Sequence, residues 1–572
     1  MRPTHHLSGW LALFVLFFCL PRVDAADDVV QQIPDNALAY VVVRNLREAD
    51  REVNQTAQRM QLPAHNLLEM AKQSLGLVKG VVETGDLALV LMGSEAGGPY
   101  PVVFVRTDNF DELLGQLKTE NQDGPISQVT VAGQSVLIAA KGKYAVLASP
   151  ANRDGLKQVV ASAASVKVDD GTQAFTQHAD VYAVATNAGV KMLSQLAITG
   201  LQVVKQQLAQ LGPQGDQAVA AFGMYEELLK WAAEEVKQVV VALRIDDNGA
   251  VSLVKRVDFL NPVEYADAGS AASATKRLAR LPMRPYAIAG AGAMGDVTAM
   301  EKWMEFSMEM TRSMMGSQLS DEQGQKLIEI SRKSMEGVRG VAFSFGVPEV
   351  GGSVYSGMAG IMEVDNADAY LARYVDTMQQ MQQLFADSER MPYRILTAEK
   401  AEVAGVPGMK VVMQISPAAL GPAAEQLKGM FDKLYGKDGK IEVYGAAIDD
   451  KHIALAYVSE DNLRALIQAA KSPDAGLAAD EGIQITSKLL PENAQLVGFV
   501  SPAGTVQFIQ RMVQAILPPE QQAQIPAFPS SPPLGFSFQY DGEALEAGLV
   551  APAEFLTALG KYIQAVQQAA GR

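Results

Sequence analysis

Ile33-Pro34-Asp35-Asn36-Ala37 runs into the apolar stretch Leu38-Ala39-Tyr40-Val41-Val42-Val43, and Leu490-Pro491-Glu492-Asn493-Ala494 runs into Gln495-Leu496-Val497-Gly498-Phe499-Val500. A helical pattern follows in both places. Proline fixes φ and cannot continue a preceding helix, so each pattern marks the opening of a strand. Leu281-Pro282 leads into Tyr286-Ala287-Ile288-Ala289 and a helix in the same manner. His178-Ala179-Asp180, ahead of Val181-Tyr182-Ala183, is a weaker fourth copy.

A larger order repeats around these strand openings. Phe104 to Asp111 (FVRTDNFD) ends a strand and starts a helix, and Met362 to Asp368 (MEVDNAD) does the same. Asp and Asn at these points are natural N-caps for free helix amides. VTVAG (129–133) and AEVAG (401–405) each open a run of alternating strands. YAVLAS precedes the helical DGLKQVV, as HIALAYV precedes DNLRALIQAA. Each half then closes on a hairpin, turned at Asp247-Asn248-Gly249 in the first and Asp541-Gly542 in the second. Asn-Gly and Asp-Gly supply the positive φ that tight hairpins need.

These landmarks predict two tandem related modules, 27–272 and 273–572, after a leader at 1–25. Each should run strand, helix, two strands, helix, three strands, helix, strand, helix, hairpin. Adjacent strands with tight connections imply an α+β class, mostly antiparallel sheets with helices packed on one face. Helical insertions at 296–335 and 419–436 enlarge the second module. A proline-rich loop at 518–533 reads as a binding lid or a tolerated insertion.

The leader is legible in its own right. Arg2, His5 and His6 make a weakly basic start, and Trp10 to Leu20 is an apolar run too short to span a bilayer. Pro21 breaks it, and Val23-Asp24-Ala25 suits signal peptidase, so cleavage is expected after Ala25 and the product is expected to be periplasmic or secreted. The only cysteine, Cys19, lies inside the apolar run, so the mature chain has no thiol. That mature chain carries 46 basic against 63 acidic residues, a net charge of −17. Such a balance argues against nucleic-acid binding, which needs a basic surface. No later run is long and apolar enough for a transmembrane segment.

Chemical motifs are few. Gly290-Ala291-Gly292-Ala293-Met294-Gly295 matches a dinucleotide fingerprint, but the first module has Val42-Val43-Arg44-Asn45-Leu46 in that place, and no acidic strand end follows at the required distance. Met300, Met304 and Met308 form one helical stripe with Trp303 and Met315 nearby. Thioethers suit Cu(I), but this spacing is also that of a core-facing helix, or of a face lining a groove for an apolar ligand. Three histidines remain after the leader, His65, His178 and His452, without metal-ligand spacing, and no G-x-S-x-G accompanies them. The carboxylate pairs Asp111-Glu112, Asp246-Asp247 and Asp449-Asp450 fall in turns or helix starts, where aspartate serves local structure. No cofactor or metal is expected.

The combination of a signal peptide, P-[DE]-N-A strand openings, strand-helix units and D-G hairpins resembles the large uncharacterised secreted proteins of planctomycetes and other environmental bacteria. The resemblance implies class and compartment and carries no site residues. The sequence therefore supports an exported envelope protein with a non-enzymatic binding or structural role. Its partner would be another envelope protein or an apolar small molecule. The alternatives are a carrier of an apolar ligand or lipid, near Met300, Trp303, Met304, Met308 and Met315, and an enzyme of unrecognised type.

Overall fold

The computed structural model describes residues 29–63, 66–75, 77, 79–93, 98–210, 213–261, 271–294, 321–385, 393–415, 432, 434–517 and 525–570. The chain divides into two compact units, residues up to 204 with 226–262, and 205–225 with 263–572. The division is therefore not one cut: residues 205–225 are grouped with the second unit. The leader 1–25 lies outside the described residues. No described helix is long and apolar enough to cross a membrane.

The first unit holds ten described strands: β1 (Ala37–Val43), β2 (Leu87–Met92), β3 (Tyr100–Arg106), β4 (Lys118–Asp123), β5 (Ile126–Val131), β6 (Gln134–Lys141), β7 (Tyr144–Ala148), β8 (Val181–Thr186), β9 (Val236–Ile245) and β10 (Val251–Phe259). They form an antiparallel sheet in the order β4-β5-β6-β7-β3-β2-β1-β8-β9-β10. Alternate residues of each strand face opposite sides. Val42, Val90, Val102, Phe104, Val146 and Val184 pack on one side with Leu156 and Val159 of helix Arg153–Ala161 and Phe175 of helix Asp170–Thr176. On the other side, Val43 and Val181 meet Leu46 and Ala49 of helix Leu46–Arg59, and Ile138 and Leu147 share a cluster with Leu113 of helix Phe110–Leu114.

The second unit also holds ten described strands: β11 (Tyr286–Ala293), β12 (Val338–Gly346), β13 (Met358–Val364), β14 (Tyr393–Val403), β15 (Val406–Ile415), β16 (Lys440–Asp449), β17 (His452–Tyr457), β18 (Leu496–Val500), β19 (Leu534–Tyr540) and β20 (Ala544–Ala551). Their order is β14-β15-β16-β17-β13-β12-β11-β18-β19-β20, again antiparallel throughout. This is the order of the first sheet with every number raised by ten. Helix Glu460–Ala470 covers one side through Leu463, Leu466 and Ile467, and helix Ala367–Leu384 covers part of the other through Tyr370, Leu371 and Val375.

The class is α+β, as expected, but helices lie on both sides of each sheet rather than one. The reason is in the strands: Val102-Val103-Phe104-Val105 is apolar on both faces, so both need cover. A second difference is one extra strand ahead of the third helix. β4 reads KTENQD and is fully exposed, so it has no apolar alternation to announce it. Its place at the sheet edge is held by β5 and by Glu120, which accepts from Thr130 (2.7 Å), Ser135 (2.8 Å) and Gln128 (3.0 Å).

The extra strand displaces one landmark. Ala132-Gly133 turns β5 into β6, whereas Ala404-Gly405 turns β14 into β15, one hairpin earlier in the shared order. Both turns need positive φ, which explains the recurrence of Ala-Gly without positional equivalence. The caps do correspond. Asn109 accepts from the Glu112 amide (3.1 Å) after β3, and Asn366 from the Ala369 amide (2.8 Å) after β13.

Candidate functional site

Met300, Trp303, Met304, Met308 and Met315 all lie outside the described residues. Of the glycine fingerprint, Gly290 and Gly292 lie inside strand β11, between β12 and β18, and Gly295 lies outside the described residues. A dinucleotide loop needs its glycines after the strand, at the helix start. Here they have a packing role instead.

Along β11, Ala289 and Ala291 point into the buried core, and Ile288, Gly290 and Gly292 point to the other side. The register sets Phe343, Gly290, Gly498, Phe536 and Leu549 in one row across β12, β11, β18, β19 and β20. A Cβ on Gly290 would lie 2.8 Å from the Phe343 ring, and one on Gly498 would lie 1.8 Å from the Phe536 ring. Each ring thus lies over a glycine, which fills the missing side chain on a sheet face. Neighbouring rows add Ile288 with Phe345, whose ring is covered by Phe508 of helix Pro502–Ile516 (centroids 5.1 Å apart), and Leu496 with Phe538. On the core side Val497, Phe499 and Val550 are buried. On this side Ile288 is 39% exposed, Phe343 41%, Phe538 39% and Leu549 46%. Register makes these side chains neighbours, so they form a patch rather than scattered apolar residues.

The first unit offers polar clefts instead. One of about 270 Å³ lies among Asp35, Asn36, Tyr100, Gln158 and Ser162. Another, of about 250 Å³, separates helix Leu46–Arg59 from the β9–β10 turn and is lined by Arg51, Glu52, Gln55, Thr56, Arg59, Asp246 and Asp247 among others. Glu52 is only 7% exposed. One carboxyl oxygen accepts from Arg51 at 3.1 Å, and the other, Oε2, is buried with no hydrogen-bond partner. Burial pushes its pKa up to about 7; Arg51 and Arg59 oppose the shift, and Glu48 and Asp247 add to it. Arg59 closes one end of the cleft on the Asn248 carbonyl, packed over Gly249, whose φ is +79°.

Other charged groups serve the fold. Asp449, at the β16–β17 turn, accepts from the Lys451 amide (2.9 Å) and lies 2.7 Å from His452 Nδ1. Asp169 caps helix Asp170–Thr176 through the Thr172 amide (2.8 Å) and pairs with Lys237 at 2.7 Å. Burial would raise the Asp169 pKa, but the hydrogen bonds from Lys237 and Thr172 outweigh it and bring it to about 2. Lys141 donates to the Val159 (2.6 Å) and Ser162 (2.9 Å) carbonyls at the end of helix Arg153–Ala161, and burial lowers its pKa. Among the described residues, no group of three or more His, Cys, Asp or Glu is placed to hold a metal ion.

The described part of the proline-rich loop is pinned. Thr486 donates to the Pro533 carbonyl (2.8 Å), Gln510 to that of Ile525 (2.8 Å), and Phe528 packs on Phe555 and Tyr562 of helix Ala553–Ala570. The sequence reading passed over both the apolar face and the Glu52 cleft. The face had a signal, the alternation of GFSFQ (535–539) with aromatics on one side. Glu52 had none, because its burial depends on a turn almost two hundred residues later.

No protein-family model, curated protein or solved structure matches the chain. The fold and these surfaces define it only as a two-unit α+β protein with a partly exposed apolar sheet face and polar clefts.

Proposed function

We propose that the chain is an exported, non-enzymatic binding protein built from a duplicated α+β module, and that a partner docks on the apolar face of the second module. The observation that carries this reading is the row Phe343, Gly290, Gly498, Phe536 and Leu549, with Ile288 and Phe538 beside it. An open apolar face of this kind costs solubility unless something covers it in use. The face is partly exposed at Ile288, Phe343, Phe538 and Leu549 and covered by Phe508 at Phe345, and the clefts of the first unit are polar. That favours a macromolecular partner from the envelope over a carried lipid.

Duplication is supported by the shared strand order and by the paired caps Asn109 and Asn366. Export rests on the leader read from the sequence, and kinship with the large secreted planctomycete-type proteins remains part of the same proposal. A screen of purified residues 26–572 against ester, glycoside and peptide substrates tests the non-enzymatic part. Turnover that disappears on changing one polar residue, Glu52→Gln for instance, contradicts it; the expected result is no turnover above buffer.

A further inference from the structure

The first unit carries a second, chemically different surface, and it does not depend on the reading of the apolar face. We propose that the cleft between helix Leu46–Arg59 and the β9–β10 turn binds a small protonated amine, seated between the carboxylates of Glu52 and Asp247.

The charges on its walls argue for a cation. From the helix come Arg51, Glu52 and Arg59, with Glu48 close enough to act on Glu52, and from the turn Asp246 and Asp247. Both arginines are already engaged, Arg51 with Glu48 and Glu52, and Arg59 with the Asn248 carbonyl. Asp246 is also engaged, accepting from the Ala250 amide at 2.7 Å. That leaves Glu52 Oε2 as a buried acceptor without a donor. A buried polar atom without a partner is costly; an ammonium group in the cleft supplies the charge, and the hydrogen bond once the carboxyl turns toward it. Gln55 and Thr56 add polar groups for a hydroxyl on the same ligand. A volume of about 250 Å³ admits a molecule of a few heavy atoms, not a polymer. Ammonium fits better than a divalent ion, which needs several oxygens converging at short range.

Binding should also depend on pH. A cation needs Glu52 ionised, and burial raises the pKa of this group to about 7. An amine that stays protonated from pH 6 to 8 therefore binds more weakly at the lower value.

The test is calorimetric titration of the whole mature protein with ethanolamine at pH 8 and pH 6, with glycolate as a probe of similar size and opposite charge. Expected are saturable binding of ethanolamine, roughly tenfold weakening in Glu52→Gln and in Asp247→Asn, weaker binding at pH 6, and no binding of glycolate. Asp247 lies in an exposed turn, so its variant remains informative should Glu52→Gln fail to fold. Absence of ethanolamine binding up to ~10 mM overturns the proposal. So do unchanged affinity in the folded variants and binding of glycolate in place of the amine.

Discussion

Gly189 lies so close to Leu38 that a Cβ on it would sit 1.9 Å from the Leu38 carbonyl oxygen. Gly504 stands in the same relation to Tyr286, at 1.7 Å. Each glycine is in the first turn of the helix after the eighth strand of its sheet, and each neighbour opens, or stands next to the opening of, the first strand. The amide of Gly189 is capped by Thr186 (3.3 Å) and that of Gly504 by Ser501 (3.1 Å). A hydroxyl residue followed three positions later by glycine is therefore a local signature of both units.

Alanine at either glycine must push a helix away from a strand backbone, with no flexible side chain to yield. Gly189→Ala and Gly504→Ala should each destabilise by about 1–3 kcal/mol, the usual range for overpacking. Gly200, in the same helix as Gly189, has open space around it. Gly200→Ala should be neutral or stabilising by about 0.5–1 kcal/mol. Chemical denaturation of the three variants measures the contrast.

The caps Asn109 and Asn366 make the same bond in corresponding helices. Alanine at either should cost about 1 kcal/mol. If the two units unfold separately, each loss should appear in its own transition, which calorimetry resolves.

Asp169 supplies a pH-dependent term. Its folded pKa, about 2, is below the ordinary aspartate value, so its contribution is fully present above that ordinary value. The contribution fades as pH falls from about 4 through the folded pKa. Asp169→Asn keeps an acceptor for the Thr172 amide but removes the charge that Lys237 pairs with. Its stability should therefore fall less steeply between pH 5 and pH 2, as followed by denaturant midpoints. Glu52 works the other way: its raised pKa favours the folded state at low pH, and this contribution is lost as pH rises through about 7.

How much of this was legible depended on where the physical cause lay. Strand openings, caps and Asp-Gly turns were readable because their causes are local: proline geometry, side-chain capping and positive φ. β4 was not, since an edge strand with both faces in water has no reason to alternate, and polar edges also discourage unwanted pairing. The Gly290–Gly292 spacing, already set aside as a dinucleotide fingerprint in the sequence, has a long-range cause instead. Glycines needed beneath Phe343, and against the chain at Gln495 and Leu496, have the same spacing as a phosphate loop. The Glu52 cleft is a long-range product of helix Leu46–Arg59 meeting Asp246 and Asp247, which no local pattern encodes.

The proposed cleavage of the leader fixes the first residue of the exported chain. Protein recovered from the envelope of its own cells should begin at Ala26, as read by N-terminal sequencing. Retention of Cys19 in the recovered chain would contradict signal cleavage.

The apolar face of the second unit should be covered by a partner in the cell. A photo-crosslinking residue placed at Phe343, in cells that make the protein, tests it most directly, with Gly200 as the control position. A discrete adduct of fixed mass is expected from position 343, abolished by the second-site pair Phe538→Ser and Leu549→Ser while the protein stays folded. Adducts equal to those at position 200, or an adduct that survives both serine substitutions, would contradict it.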